Sequence, residues 1–67
     1  MTTYIASKFK AHLSLIREAI DGTQDLRGNQ KVYKKIYKYY KDLGVNFCGD
    51  SASDYELVLD CLYEDLA

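Results

Sequence analysis

Tryptophan is absent from these 67 residues, histidine occurs once, and the two cysteines form no CxxC pair. Each scarcity closes off a kind of chemistry. A structural zinc ion takes four tetrahedral ligands, and Cys48 and Cys61, with His12 far upstream, do not supply them within one chain. A Cys48–Cys61 disulfide is possible on spacing, but nothing in the sequence argues for it. The glycines Gly22, Gly28, Gly44 and Gly49 stand apart, so there is no glycine-rich phosphate loop. His12 has no acid, nucleophile or second ligand placed to work with it, and it reads as a half-buried structural residue. No enzymatic activity, cofactor or metal is expected.

Long apolar runs are missing too. No stretch approaches the ~20 residues that a membrane span needs, and the opening MTTYIASKFKAHL is broken by lysines and a histidine, unlike a signal peptide. The expectation is a cytoplasmic protein in a reducing compartment, with Cys61 acting as a small hydrophobe. Net charge is −1, which excludes a globally basic nucleic-acid binder but leaves room for a local basic patch. The 48% hydrophobic content argues for a folded core. A chain this short forms one domain, residues 1–67, and buries only about 60% of its unfolded surface.

What is present is concentrated in Lys31–Lys41, KVYKKIYKYYK, with five of the nine basic residues, four of the seven tyrosines and no acid. At ~100° per residue, Val32, Ile36, Tyr39, Tyr40 and Leu43 share one side of a helix, while Arg27, Lys31, Lys34, Lys38 and Lys41 share the other. A strand would mix lysine and apolar side chains on both faces, leaving nothing coherent to bury. Upstream, Ile5, Phe9, Leu13, Ile16 and Ile20 fall at helical spacing, and Tyr4, Ala11 and Leu15 form a weaker second stripe. Thr2 or Thr3 suits the start of that helix, and Gly22 its end.

The second helix is expected to begin at Asp25, with Asn29 as an alternative cap because Gly28 weakens the first turns, and to stop at Gly44. VNFCGD, residues 45–50, reads as an irregular link whose Val45 and Phe47 plug one end of the core. Ser53 and Glu56 have capping-box spacing for a third helix, whose core face is Tyr55, Leu59, Leu62 and Leu66 with Val58 at its margin. The predicted architecture is all-α: a small antiparallel three-helix bundle with helices at about 3–21, 25–43 and 53–66.

From Asp50 to Ala67 there are six acids and no base, and Glu56, Asp60 and Glu64 follow one another at four-residue intervals as a ridge. Seven tyrosines exceed what a thin core hides, and tyrosine is enriched where proteins meet. Tyr37 is expected off the core face, Tyr63 beside the acidic ridge, and Leu57 with Cys61 on a further apolar strip. The expected function is therefore a small non-enzymatic adaptor or inhibitor that binds another protein through Glu56, Asp60, Glu64, Tyr63, Leu57, Cys61 and Tyr37. A homodimer through the surplus apolar stripes belongs to this expectation, as does a setting among phage or mobile-element accessory proteins. Two alternatives stand beside it. Nucleic acid could be held by Arg27, Lys31, Lys34, Lys38 and Lys41, or the third helix could act as an acidic mimic of nucleic acid. No membrane partner is expected, and no family resemblance is carried by these residues.

Overall fold

Asn29, the alternative cap, is the one that starts the lysine–tyrosine helix: its side-chain oxygen accepts from the Val32 N–H at 3.4 Å. In the computed structural model, which describes residues 4–66, this helix is α3 (Gln30–Asp42), and it follows α1 (Tyr4–Lys8) and α2 (Leu13–Ile20) and precedes α4 (Ser51–Leu66). No strand forms among the described residues. The all-α bundle read from the sequence is the fold observed, with four α-helices where three were expected. The caps assigned to Thr2 and Thr3 lie outside the described residues.

The extra helix arises because the segment 3–21 does not run straight. Phe9 still donates its N–H to the Ile5 carbonyl at 3.0 Å, but His12 then bonds back to the Phe9 carbonyl at 2.9 Å, and residues Lys10–His12 make a turn of 3₁₀ helix. No glycine or proline marks the break. The bend lets α1 and α2 each pack on α4. It also changes which residues go deepest. Ile5, Phe9, Ile16 and Ala19 are buried, while Leu13 and Ile20, expected in the core, are only half-buried.

Asp25 caps a separate 3₁₀ turn, Leu26–Gly28, by accepting from the Arg27 N–H at 2.9 Å. Leu26 on that turn is completely buried, although it lies between the expected helical faces. Its N–H donates to the Tyr55 hydroxyl at 2.9 Å, tying the turn to α4.

Both α2 and α3 end in the glycine-terminated motif that their sequences suggest. Gly22 has φ +84° and Gly44 φ +100°, a region open to glycine without a Cβ penalty. The residue after each glycine bonds back across the last turn, Thr23 N–H to the Glu18 carbonyl at 2.9 Å and Val45 N–H to the Tyr40 carbonyl at 3.1 Å.

The third expected helix begins earlier than its capping-box signature implied. Asp50 is the cap, accepting from the Ser53 N–H at 2.9 Å, so Ser53 lies inside the first turn and does not start the helix. The buried face of α4 is correspondingly shifted. Val58 and Leu62 are its centre and Asp54 joins them, while Tyr55, Leu59 and Leu66 flank the core half-buried.

The contacts between α3 and α4 depart from a simple antiparallel hairpin. Tyr33 meets the Tyr55 ring edge-on at 5.8 Å between centroids, Tyr37 reaches Asp54, and Tyr40 reaches Asp65. Tyr33 and Tyr37 thus both meet the start of α4, and Tyr40 meets its end. The reason is the connection 43–50, which doubles back along α3. Phe47 stacks on Tyr37 with 4.1 Å between ring centroids, which delivers the first turn of α4 beside the middle of α3. The radius of gyration, 10.9 Å, equals the ~11 Å of a compact chain of this length.

Candidate functional site

Among the described residues α1, α2 and α3 each pack on α4, so its side chains divide between inward anchors and two outward flanks. The inward anchors are polar as well as apolar. Asp54, 5% exposed, accepts hydrogen bonds from the Cys48 N–H at 2.9 Å, the Gly49 N–H at 3.1 Å and the Tyr37 hydroxyl at 3.2 Å, with the Cys48 thiol 3.4 Å away. Burial pushes its carboxyl up, but the donors from Cys48, Gly49 and Tyr37 outweigh burial and hold it below the usual carboxylate range. At the other end of α4, the buried Tyr40 donates its hydroxyl to Asp65, and burial followed by that carboxylate pushes the phenol well above its ordinary range.

One outward flank of α4 faces α2 across a groove. A concavity of about 340 Å³ is lined by Ile20, Glu56, Leu59, Asp60 and Tyr63. It adjoins a second of about 240 Å³ through Ile20 and Tyr63, where Arg17, Asp21 and Leu66 complete the lining. A third hollow of about 300 Å³ continues past Leu59 to Tyr55 and the loop Gly22–Asp25. The floor of the groove is apolar, formed by half-buried Ile20, Leu59 and Leu66 with the 63%-exposed Tyr63 standing over it. Its rim is acidic, with Glu56, Asp60 and Asp21 exposed, and Arg17 is the one cation among the described residues lining it.

The residues expected to bind a partner therefore separate. Glu56, Asp60 and Tyr63 come together in this groove, and the exposed Glu64 continues the acidic ridge. Leu57 and Cys61 lie on the opposite flank of α4, both half-buried, and Cys61 packs against the core. Burial first, then the charges of Asp65, Glu64 and Asp60, push the Cys61 thiol up, so it is a poor thiolate source. Tyr37 does not lie off the core face, as its helical position implied. It is half-buried, stacked on Phe47 and bonded to Asp54, because the doubled-back connection covers that side of α3.

Ile20, Asp21 and Arg17 are the groove residues that sequence reasoning missed. Ile20 had the spacing of a core residue, and in the structure it lies half-buried at the groove edge.

The basic set is also divided. Lys31, Lys34, Lys38 and Lys41 are exposed on α3. Arg27 is held away from them by Asp25 at 2.8 Å and lies over the Tyr55 ring at 4.3 Å. Its hydrogen bonds, side chain first and backbone second, bring the Asp25 carboxyl down to about 2. Cys48 and Cys61 are free thiols. Among the described residues, no three metal-ligating side chains gather, and no helix is long and apolar enough to cross a membrane.

Comparison with known proteins finds no matching family model, and no curated protein or solved structure of significant similarity.

Proposed function

We infer that the chain is a non-catalytic binding module whose α2/α4 groove receives a basic amphipathic helix of a partner protein. The observation that carries this reading is the continuity of an apolar floor, Ile20, Leu59 and Leu66, with an acidic rim, Glu56, Asp60 and Asp21. A helix laid in such a groove places its apolar face on the floor and its lysines or arginines against the rim. Tyr63 is the natural anchor, since an exposed aromatic ring beside an apolar floor gains most from being covered.

A second copy of the chain is the competing occupant. A two-fold dimer through this groove would bring Glu56, Asp60 and Glu64 toward the same ridge of its partner, and like charges placed face to face oppose association. A different, basic chain meets no such penalty. The cytoplasmic adaptor or inhibitor role expected from the sequence fits this reading, with the site narrowed to one flank of α4.

The test is a ¹⁵N chemical-shift titration with a leucine–lysine amphipathic helical peptide, alongside sedimentation of the protein alone. Expected are a groove that stays open whatever the oligomeric state and shifts concentrated at Ile20, Leu59, Asp60 and Tyr63, with affinity falling at least about tenfold for Glu56→Lys with Asp60→Lys. Shifts centred on α3, or a dimer whose formation removes the peptide response, would overturn it.

A further inference from the structure

We propose that a second groove, between α1 and α3, holds a single strand of nucleic acid by its phosphates with a base against Tyr39. This inference does not depend on the α2/α4 groove and concerns a different side of α3 from the one facing Asp54.

The groove has a volume of about 540 Å³ and is lined by Lys8, Phe9, His12, Lys35, Lys38, Tyr39 and Asp42. Two separate parts of the chain build it. The bend at residues 9–12 swings Lys8 and His12 alongside the flank of α3 that carries Lys35 and Lys38. Three ammonium groups and one carboxylate leave the lining net positive. Asp42 lies 3.4 Å from the Lys38 ammonium in an exposed pair, of the kind that contributes little and yields readily to a phosphate.

The inner wall is aromatic. Phe9 is buried and meets the half-buried Tyr39 edge-on, at 6.4 Å between centroids. Lys8 lies 6.0 Å from the Phe9 ring centroid, so cation and ring already share the mouth of the groove. Cations beside a partly open ring are the elements of single-strand recognition, in which lysine meets the backbone and a base packs on the aromatic. A base within a duplex is paired and stacked, and does not reach such a wall.

The strip does not end at the groove. Lys31, Lys34 and Lys41 on α3 and Lys10 on the 3₁₀ turn are exposed, and α3 alone extends over about 20 Å at 1.5 Å per residue. An extended polyanion matches that length better than an isolated phosphate does. Lysine supplies charge without the fork that reads guanine edges, so the binding expected is independent of sequence.

The experiment is fluorescence anisotropy with a labelled twelve-residue oligothymidylate between about 50 and 200 mM salt, with a duplex of the same length as the second arm. Three phosphate contacts in the groove predict a log–log salt slope of about −2 or steeper for the single strand, and weaker duplex binding. Lys35→Gln with Lys38→Gln should flatten the slope to about −1. Asp42→Asn should tighten binding several-fold, a change that general destabilisation does not produce. Tyr39→Leu should weaken binding about tenfold without altering the slope. Thermal melts of each variant establish that it remains folded, and Lys35→Gln, at an exposed position, serves alone if Tyr39→Leu does not fold. Absence of binding at low salt overturns the proposal. So does duplex binding as tight as single-strand binding, or a loss from Lys34→Gln with Lys41→Gln larger than the loss from Lys35→Gln with Lys38→Gln.

Discussion

The Tyr37 hydroxyl lies 3.2 Å from the buried carboxylate of Asp54, and this bond joins the middle of α3 to the first turn of α4. The same carboxylate takes the backbone N–H groups of Cys48 and Gly49, so one side chain fixes the end of the connection, the start of a helix and the helix beside it. In a chain this short, with a thin core, a junction of this kind has large consequences.

Asp54→Ala is expected to leave three donors without their acceptor and lower the melting temperature by roughly 10 °C or more. Asp54→Asn, which retains one acceptor oxygen, should lose less. Circular dichroism melts at 222 nm measure both. Equal melting of Asp54→Ala and the parent would show that the junction contributes nothing.

Acid should unfold the protein through the same groups. The Asp54 and Asp50 carboxyls are held below their ordinary range, the latter by the Ser53 backbone N–H first. The unfolded chain therefore binds more protons than the folded one as the pH drops. Stability is fully present above about pH 5 and falls as the pH drops below about 4, where unfolded carboxylates take up protons. Urea midpoints measured at pH 6 and pH 3 should differ clearly, and the difference should shrink in Asp54→Asn. A midpoint that does not move between those values contradicts the mechanism.

Alkali acts through Tyr40. Its phenol is pushed upward by burial and by Asp65, so the folded state keeps a proton that the unfolded state releases near pH 10. The associated stability is present below about pH 10 and is lost as the pH rises beyond it. Tyr40→Phe is expected to cost about 1 kcal/mol at neutral pH through the lost hydrogen bond, and to lessen the alkaline loss. Ultraviolet titration of the phenols should show one tyrosine ionising only as the chain unfolds.

The bend at residues 9–12 makes a prediction that a straight helix would not. Ile16→Ala, at a fully buried position, should cost about 2–5 kcal/mol, and Leu13→Ala, at a half-buried one, markedly less. A continuous helix over 3–21 would make the two nearly equal. Denaturant melts of both variants distinguish the cases.

Glu56→Gln and Asp60→Asn remove exposed charges from the groove rim, away from any described hydrogen bond, and should shift the melting temperature by no more than a degree or two. A loss of peptide binding without loss of stability is then assignable to the rim.

Much of the fold is legible along the chain. Periodicity announces helices around Ile16, Ile36 and Leu62, because a 3.6-residue repeat of apolar side chains has one way to bury itself. Gly22 and Gly44 announce where two helices stop, because glycine enters the left-handed region without a Cβ clash. The candidate groove is half legible. Glu56, Asp60 and Tyr63 stand out on their own helix, but Ile20 and Asp21 become their neighbours only across α2 and α4.

The sequence by itself determined helix type, the segregation of lysines from acids, and the glycines that end α2 and α3, since these depend on residues within a turn or two of one another. Only the tertiary structure decided the bend after Phe9, the burial of Leu26 and Asp54, the inward turn of Tyr37 and the two grooves flanking α2 and α3. Each of these depends on partners far apart in the chain, Tyr55 for Leu26 and Tyr37 for Asp54 among them, and local spacing carries no information about which distant side chain arrives.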